Sequence, residues 1–362
     1  MVTRKEIADR LGVSLSVVSR ALNNSGYVAP EKKNAILQAA AELGYSREPE
    51  ALKRIRRSTR LVTLYTTNTR NPFYVEFYLG VRDILARKGY ALMICPVPDG
   101  EFPKRDEADA LIFANESIAY HYLSTAGKND FRPAVSASFG GSRQLPRHMV
   151  TVTFDMWTCA DAVMTFLRKL GHRRIAMVSP FPSSDQDARI RAWIADARET
   201  LGSAAMDYYI EVSEEDRIAY AKNSLVGGGR NLSGLTAEDF FENGFLAAQQ
   251  FLDSGCDATA VICFNEEMGV GFCKALRRLG VRIPDDLSVV AYDGTYLRRY
   301  MDQMLTVLSL QPYVMGQCCA EAVSDLLSGK KVRNRTFSRA EILEGETTAP
   351  PRNGTHQKDR MA

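Results

Sequence analysis

The sequence predicts two folds in succession: an N-terminal all-α helix-turn-helix headpiece, and an α/β core of two doubly wound parallel-sheet subdomains. Residues 3–23 show two short helical patterns separated by a glycine turn. From Leu61 onward, short apolar strands alternate with amphipathic helices, which is typical of parallel sheets covered on both faces. About 300 residues of this pattern exceed one hydrophobic core, so we expect two subdomains.

The headpiece begins with TRKEIADRLGVSLSVVSRALN, residues 3–23. Helical spacing places Ile7, Ala8 and Leu11 on one face, Gly12 ends the first helix, and Ser14 caps the second. The second helix buries one face and turns the other outward; the buried residues are Val18, Ala21 and Leu22, and the outward ones are Leu15, Ser16, Ser19 and Arg20. Such a short, polar and basic outer face is typical of a DNA recognition helix, although a purely structural hairpin would bury a similar face.

The positive charge of the chain is concentrated in the segment that contains this hairpin. Residues 1–60 contain 12 Lys and Arg against 6 Asp and Glu, whereas the remaining residues contain 34 against 37. Over the whole chain of 362 residues the net charge is only +3. Because neutralising DNA phosphates requires a local excess of positive charge, this distribution favours DNA binding.

A third helix and a basic linker complete the N-terminal region. Pro30 stands at a first helical position, residues 31–43 continue the helix, and Gly44 ends it. The predicted buried face comprises Ile36, Leu37, Ala40 and Leu43, with Tyr45 covering the base of the three-helix core. Residues 46–60, SREPEALKRIRRSTR, contain six basic side chains and one proline. We expect this linker to lie on DNA when the protein is bound to it.

Ten short apolar segments predict the strands of the core. They are residues 61–67, 91–97, 108–115, 133–138, 149–154, 174–180, 208–212, 260–264, 287–293 and 305–311. Helices are predicted between them within residues 71–90, 160–170, 190–201, 241–253 and 268–279. In parallel sheets of this kind, the loops at the carboxyl ends of the strands build the ligand site.

Several motifs occur in an order that points to one family. They are KEIADRLGVSLSVVSRALN, a third helix opening VAPEKK and closing ELGY, then LVTLYTTNTRNPFY, LGHRRIAMVS, AVICFNEEMGVGFCKALRRLGVRIPDDLSVVAYDG and TTAPP. Over nearly its whole length the chain resembles the LacI/GalR family of bacterial transcription factors. The resemblance implies a homodimer or tetramer that binds a palindromic double-stranded DNA operator through paired headpieces and minor-groove hinge helices. It also implies a periplasmic-binding-protein-like core that holds a small-molecule effector, often a sugar, between its subdomains.

The patterns and the resemblance together predict the domain boundaries. We expect the headpiece at residues 1–46, the basic hinge at 47–60, the core at 61–349 and a flexible tail at 350–362. Within the core, one subdomain is expected at about residues 61–158 and 293–322, and the other at about 159–292 and 323–349.

The resemblance implies roles for individual headpiece residues. Leu15, Ser16 and Arg20 match the base-reading positions, and Ser14, Ser19 and Asn23 match the phosphate-contacting ones. Arg20 has independent chemical support, because a guanidinium can donate two hydrogen bonds to guanine O6 and N7. Val17 departs from the family, which usually has threonine there, so a hydroxyl for the phosphate is missing.

The hinge also departs from the family pattern. Family members commonly place a leucine in the hinge helix, where it wedges between base pairs in the minor groove. With the alignment anchored on Pro49, Arg56 takes that position, and only Leu52 and Ile55 are apolar nearby. We favour Ile55 as the wedge, with Arg54 and Arg56 in the narrowed groove; the alternative is a hinge that acts only through charge.

Seven core residues match the effector-binding positions of the family: Phe73, Asp155, Arg189, Asn265, Asp293, Gln311 and Tyr313. Asp, Asn and Arg can satisfy neighbouring sugar hydroxyls, and aromatic rings can stack on a sugar face. Thr158 is an alternative to Asp155, and Phe240 or Phe241 is a further candidate for the cleft. As alternatives, Asp and Asn at strand ends are common helix caps, and Phe73 and Tyr313 could be core aromatics.

Two segments of the core differ in length from the family. Residues 98–110, PDGEFPKRDEADA, replace a stretch that normally includes a helix of about a dozen residues. Residues 214–234, EEDRIAYAKNSLVGGGRNLSG, are longer and rich in glycine, which predicts a disordered surface insertion or a mobile flap.

Other classes of protein find less support. An α/β enzyme that uses a nucleotide would need a phosphate-binding glycine loop after the first strand, but NTRNPFY stands there. Neither G-x-S-x-G nor H-E-x-x-H occurs. We expect no catalytic residues, cofactor or metal; the seven cysteines show no paired spacing. A periplasmic-type ligand binder without a DNA role would lack the headpiece. With no signal peptide or membrane span predicted, a cytoplasmic protein that joins the bacterial nucleoid on DNA is expected.

Overall fold

The computed structural model describes residues 2–23, 27–45, 58–97, 101–103, 107–128, 130, 132–140, 145, 149–185, 187–223, 239–337 and 341–352. The chain divides into two compact units. The first comprises Met1–Arg70, Tyr74–Phe154 and Tyr313–Phe337, and the second comprises Asn71–Phe73, Asp155–Pro312 and Ser338–Ala362.

Three helices form the headpiece: α1 (Arg4–Leu11), α2 (Leu15–Asn23) and α3 (Pro30–Leu43). A capping box begins α1, since Thr3 accepts a hydrogen bond from the N–H of Glu6 and donates its own N–H to the Glu6 carboxylate at 2.6 Å. The helix ends at Gly12 with φ 62°, and α3 ends at Gly44 with φ 68°. Both glycines adopt the left-handed conformation that ends a helix at little cost, as the sequence predicted.

The three helices enclose a small apolar core. Ile7, Val18, Leu22 and Ile36 are at most 1% exposed, and each buried side chain of this size contributes about 1.5–3 kcal/mol. The partly buried residues around them include Leu11, Leu37, Leu43 and Tyr45. The predicted three-helix headpiece is confirmed.

The first sheet has six parallel strands in the order β11-β5-β4-β3-β1-β2. They are β1 (Leu61–Thr66), β2 (Ala91–Pro96), β3 (Ala110–Phe113), β4 (Ala134–Ser138), β5 (Val150–Phe154) and β11 (Arg335–Phe337). The helices of this unit are α4 (Pro72–Arg87), α5 (Glu116–Ser124) and α11 (Pro312–Leu327).

The second sheet also has six strands, in the order β12-β10-β9-β8-β6-β7, with β12 antiparallel to β10 and the other pairs parallel. The strands are β6 (Ile175–Ser179), β7 (Tyr209–Glu211), β8 (Ala260–Cys263), β9 (Ser288–Asp293), β10 (Thr306–Ser309) and β12 (Glu341–Leu343). The helices are α6 (Met156–Lys169), α7 (Ala188–Leu201), α8 (Glu214–Asn223), α9 (Phe240–Asp253) and α10 (Glu266–Arg278), with 3-10 turns at Gly202–Tyr208 and Tyr296–Tyr300.

Helices α9 and α10 pack backbone against backbone. A Cβ atom on Gly244 would lie 2.3 Å from the Met268 carbonyl oxygen, and one on Gly271 would lie 2.1 Å from that of Phe241. Larger residues at these two glycines would force the helices apart. The contact fixes the start of α10, which contributes to the candidate site described below.

All ten predicted strands occur, but the division of the core differs from the predicted subdomains. The two units exchange at residues 70/71, 73/74, 154/155, 312/313 and 337/338, where exchanges at 158/159, 292/293 and 322/323 were expected. The difference arises because β10 pairs in parallel with β9, so that Thr306 lies opposite Val290. Residues 293–312 therefore belong to the second unit.

The first part of the segment at 214–234, which the sequence predicted to be a disordered insertion or a mobile flap, is helix α8. Ser213 and Asp216 form the helix start, where the Ser213 N–H donates to the Asp216 carboxylate at 3.0 Å and the Asp216 N–H donates to the Ser213 hydroxyl at 3.2 Å. Arg217 anchors the helix by donating to the carbonyls of Val212 at 2.6 Å and Pro180 at 3.2 Å. Residues 224–234 lie outside the described part.

The shortened connection between β2 and β3 contains no helix in its described residues, 101–103 and 107–109. Phe102 packs edge-on against Tyr65 at 5.2 Å and against Tyr122 at 4.9 Å between ring centroids. An aromatic side chain therefore covers this part of the first sheet. Across the described ranges, no helix is long and apolar enough to cross a bilayer.

Candidate functional site

The outward face of α2 presents the residues predicted to read DNA bases. Leu15 is 53% exposed, and Ser16 and Arg20 are also exposed. The Arg20 Nε lies 3.4 Å from the Ser16 carbonyl oxygen, and the hydroxyls of Ser14 and Ser16 are 2.9 Å apart. The second helix thus carries one long basic group and several short polar groups toward solvent, a composition suited to base edges in the major groove.

Ser19, a predicted phosphate contact, is held by Arg4. The Arg4 Nη1 donates to the Ser19 hydroxyl at 3.0 Å, and its Nε donates to the Tyr45 hydroxyl at 2.8 Å. This guanidinium ties α1 to α2 and to the residue that follows α3, and it adds a positive charge beside Ser19. Arg4 was not among the residues predicted from the sequence, because its partners are 15 and 41 residues away.

Four other predicted DNA contacts are not described in full. Asn23 is the last residue of α2, but its side chain is outside the described atoms. Arg54, Ile55 and Arg56 lie outside the described residues altogether.

The second candidate site lies at the carboxyl edge of the second sheet, within the second unit. The parallel strands β6, β8, β9 and β10 all end at this edge. Asn265 follows β8, Asp293 closes β9, Gln311 follows β10, and Arg189 lies in the first turn of α7. The topology therefore brings these four predicted residues to one edge, as expected for a ligand site in an α/β sheet.

The guanidinium of Arg189 is engaged by a neighbouring carboxylate. Its Nε and Nη2 donate to the two oxygens of Asp187 at 2.9 and 2.8 Å, and its Nη1 donates to the Phe264 carbonyl at 3.1 Å. The guanidinium carbon also lies 3.6 Å above the centroid of the Phe264 ring. Burial acts to raise the pKa of Asp187, but the charge and hydrogen bonds of Arg189 outweigh it and hold that pKa below its ordinary value.

Asp293 is buried in an unusual backbone conformation. Its side chain is on a residue only 6% exposed, with φ 103°, which is in the left-handed region. Burial raises the pKa of Asp293 to about 6, against the charge of Arg189 and a hydrogen bond from the Glu266 N–H, which both lower it. Strained backbone that holds a polar side chain at a sheet edge is common at functional sites.

The side chains of Asn265 and Glu266 both accept hydrogen bonds from backbone N–H groups. The Asn265 side chain caps α10 by accepting from the Met268 N–H at 2.9 Å, which is the structural alternative considered for it. Glu266 accepts from the N–H groups of Thr295 and Arg298, each at 2.6 Å, and so fixes the turn after β9. Burial raises the pKa of Glu266 to about 7.

Glu267 is a further acid at this edge. It accepts a hydrogen bond from the Asn71 side-chain amide at 2.8 Å. Burial raises its pKa to about 7, and the negative charges of Asp293, Glu242 and Asp239 act in the same direction. Glu267 was not among the residues predicted from the sequence, although it stands in the acidic sequence NEE directly after β8.

Phe264, the ring beneath Arg189, belongs to a cluster of three aromatic rings. Phe264 lies 4.9 Å from Phe181 and 6.0 Å from Phe240 between ring centroids, and the Phe240 ring is nearly parallel to it. Phe240 was one of two candidates for the cleft. The other, Phe241, instead packs on Phe245 at 5.2 Å.

The remaining predicted effector residues have local partners. Phe73 is 5% exposed in the first turn of α4, and its N–H donates to the Asn71 side chain at 2.9 Å. Asp155 caps α6 and accepts from the Thr158 hydroxyl at 2.6 Å. Gln311 has φ 47°, and its N–H donates to the Ser309 hydroxyl at 3.2 Å.

Tyr313 belongs to the first unit. Its hydroxyl donates to the Asp83 carboxylate at 2.7 Å, across 230 residues of sequence. Unlike the six other predicted effector residues, Tyr313 therefore lies in the first unit, and its hydroxyl already has a hydrogen-bond partner.

Comparison with known proteins decides the family. Residues 3–48 match the family described as bacterial regulatory proteins, lacI family, and residues 164–348 match a periplasmic binding protein-like domain. The chain belongs to the LacI family. Its members are transcriptional regulators and not enzymes, and this LacI-family chain is a DNA-binding transcriptional regulator.

Relatives of this LacI-family protein span nearly its whole length. The HTH-type transcriptional repressor CytR of Escherichia coli K12 is 25% identical over 361 residues, covering 96% of this chain and 97% of that protein. The ribose operon repressor of Haemophilus influenzae is 24% identical, covering 93% and 95%. Both similarities include the headpiece and the core.

Solved structures share the fold. A LacI family regulator from Enterococcus faecium with bound ribose is 20% identical with a TM-score of 0.64, covering 81% of this chain and all of that one. The lac repressor dimer bound to operator and an anti-inducer is 18% identical with a TM-score of 0.59, covering 96% and 99%. The headpiece and the two-sheet core agree with the fold predicted from the sequence.

Proposed function

We propose that the protein is a repressor that binds an inverted-repeat operator as a homodimer, and that a small carbohydrate or carbohydrate derivative controls its affinity for that operator. The observation that carries the DNA half of the proposal is the solvent-facing surface of α2, with Leu15, Ser16 and Arg20 outward on a packed headpiece. The local excess of positive charge in residues 1–60 supports it.

A dimer follows from the geometry of operator recognition. A single helix-turn-helix reads only one half-site, and paired headpieces on an inverted repeat supply the affinity that one headpiece lacks. A tetramer would pair two such dimers. Since the operator is chromosomal DNA, the protein acts in the bacterial cytoplasm, on the nucleoid.

The part of the proposal that concerns the effector depends on residues at the carboxyl edge of the second sheet. Arg189, Asp293 and Asn265 offer charged and amide groups beside the rings of Phe264 and Phe240, a combination that suits hydroxyl groups on an otherwise apolar ring. Relatives point the same way, since one is named a ribose operon repressor and one solved relative is a cellobiose complex. Phe73, Asp155 and Gln311 are proposed to contribute from the same unit.

Two experiments test the proposed function. Selection of bound sequences from random duplex DNA should return an inverted repeat, and binding should weaken steeply as salt rises because phosphate contacts release counterions. A thermal-shift screen against sugars and sugar derivatives should then find a ligand that stabilises the protein and changes operator affinity. Recovery of no preferred DNA sequence would refute the regulatory role.

A further inference from the structure

Arg4, in the first turn of α1, joins the three helical parts of the headpiece. Its Nη1 donates to the hydroxyl of Ser19 on α2 at 3.0 Å, and its Nε donates to the hydroxyl of Tyr45, just beyond α3, at 2.8 Å. All three residues are partly buried. Because both acceptors are neutral hydroxyls, they fix the orientation of the guanidinium without neutralising its charge.

The charge of Arg4 has no acidic partner in the described part of the chain. None of the ion pairs there includes Arg4, whereas Arg10, in the last turn of the same helix, pairs with Glu42 at 2.6 Å. Glu6 is the acid nearest to Arg4 in sequence, and its carboxylate accepts the Thr3 N–H at 2.6 Å. A guanidinium has five N–H donors, and the two hydroxyls take only two of them. Arg4 therefore keeps its charge and further donors for an anion.

Arg4 borders the surface of α2 that faces DNA. Ser19 stands four residues after Leu15 and three after Ser16, so it is a neighbour of both on the outward face of the helix. In a helix-turn-helix, the second helix enters the major groove while the first crosses the sugar-phosphate backbone. Arg4 begins the first helix and contacts the second, which places it where the backbone passes.

We propose that Arg4 binds a phosphate of the DNA backbone, one for each headpiece, and that the hydroxyls of Ser19 and Tyr45 hold its guanidinium in position. A guanidinium can donate two charge-assisted hydrogen bonds to one phosphate, which an ammonium cannot match in geometry. Orienting the side chain before DNA arrives lowers the entropic cost of binding. This role depends on neither the identity of the effector nor the symmetry of the operator.

The salt dependence of DNA binding tests the charge. The full-length protein is titrated with a selected operator duplex and with a mixed-sequence duplex of equal length. Arg4→Gln should lower operator affinity roughly tenfold, and it should lower the slope of log affinity against log salt by about 0.9 for each bound headpiece. Arg10→Gln removes the same charge from an existing ion pair and should leave that slope unchanged. If the two variants lower the slope equally, the proposal is wrong.

Neutral methylphosphonates, introduced into the operator one position at a time, locate the phosphate. At one position in each half-site the substitution should cost the wild type roughly tenfold and Arg4→Gln less than about twofold, because the variant has no charge to lose there. Arg4→Lys keeps the charge and should stay sensitive at that position. If Arg4→Gln is as sensitive as the wild type at every position, Arg4 only ties the helices together.

Tyr45→Phe tests the positioning role, since it removes only the hydroxyl. Affinity should fall about two- to fivefold in the wild type and no further in the Arg4→Gln background, because Tyr45 acts through Arg4. Additive losses would mean that Tyr45 contacts DNA itself and would overturn this role. If Arg4→Gln does not fold, Tyr45→Phe carries the test: it should reduce the methylphosphonate effect at one position only, and an equal effect at all positions would refute the proposal.

Failure of this inference is distinguishable from failure of the proposed function. Wild-type protein that selects an operator while Arg4→Gln keeps the full salt slope leaves the regulatory role intact and removes only the phosphate contact. If no operator is selected, the regulatory role falls, and the salt slope on the mixed-sequence duplex still decides the role of Arg4.

Discussion

The backbone N–H of Thr59 donates a 3.1 Å hydrogen bond to the carboxylate of Asp109. The same carboxylate accepts from the Arg60 N–H at 3.0 Å and from the hydroxyl of Ser58 at 2.6 Å. One side chain just before β3 thus fastens the end of the basic linker to the first sheet. Residues 58–60 of the linker are therefore held against the core.

We expect Asp109→Asn to lower the free energy of unfolding by about 1–3 kcal/mol at pH 7, because charge-assisted hydrogen bonds are lost. Burial acts to raise the pKa of Asp109, but the hydrogen bonds from residues 58–60 outweigh it and hold that pKa below its ordinary value. This stabilisation is present above the unfolded pKa of aspartate and is lost as pH falls through the folded pKa. Urea unfolding should show a smaller difference at pH 3 than at pH 7, and Glu107→Gln should show none at either pH.

Arg20→Ala should weaken operator binding by about 1–3 kcal/mol for each lost base contact and should flatten the preference at one base pair of each half-site. The reason is that Arg20 is exposed on α2 and can reach a guanine edge. Binding to a panel of operators with single substitutions measures the effect. Arg10→Ala, which removes an ion pair with Glu42 on another face of the headpiece, should leave base preference unchanged. Equal weakening across all sequences would instead identify Arg20 as a phosphate contact.

The hinge prediction concerns residues outside the described part of the chain. If Ile55 wedges into the minor groove, Ile55→Ala should reduce both operator bending and affinity. Arg56→Ala should lower the slope of log affinity against log salt by about one. Bending is measured by electrophoretic mobility of permuted fragments. An unchanged bend and affinity for Ile55→Ala, together with a reduced salt slope for Arg56→Ala, would leave a hinge that acts through charge alone.

Glu267→Gln should stabilise the protein at pH 8. A carboxyl whose pKa is raised on folding binds a proton more tightly in the folded state than in the unfolded state. Its contribution to folding stability is therefore fully present below the unfolded pKa. That contribution is lost as pH rises through the folded pKa of about 7. The neutral amide avoids that loss while keeping an oxygen that can accept from Asn71. The gain should be on the order of 1 kcal/mol at pH 8 and should vanish near pH 4. A variant that is less stable at both pH values would contradict this prediction.

Asp293→Ala and Arg189→Ala should leave operator binding nearly unchanged and abolish the response to effector. Both residues lie in the second unit, whereas α2 lies in the first. Alanine is strained at the φ of 103° adopted by residue 293, so Asp293→Asn, which tolerates that backbone better, separates the loss of charge from strain. Operator binding with and without ligand is the measurement. Loss of folding in all three variants would favour a purely structural role.

Local signals in the sequence predicted the headpiece and most of the core. Gly12, Pro30 and Gly44 mark helix ends through their own backbone preferences, so their positions were readable without any tertiary contact. The ten strands were equally clear from their apolar runs. In contrast, β11 and β12 have only three residues each, and they exist because they complete sheets whose other strands are distant in sequence.

The position of the candidate site could be predicted from the sequence, but the hydrogen-bond partners of its side chains could not. The residues at strand ends followed from the α/β pattern, yet the pairing of Arg189 with Asp187 depends on rotamers that a sequence does not reveal. Tyr313 is a similar case, because its partner Asp83 lies on another helix. Asn265 satisfied a helix-capping rule and a family match at the same time, so sequence alone could not choose between them.

The two C-terminal strands, β11 and β12, also bear on the order in which the protein folds during its synthesis. β11 completes the first sheet at Phe337 and β12 completes the second at Leu343, so neither sheet has all its strands until the ribosome has almost reached the end of the described chain. The headpiece needs nothing beyond Tyr45 for its own core. Because domains fold as units, with the N-terminal one first, a nascent chain carries a folded DNA-binding headpiece well before it carries a core that can respond to an effector.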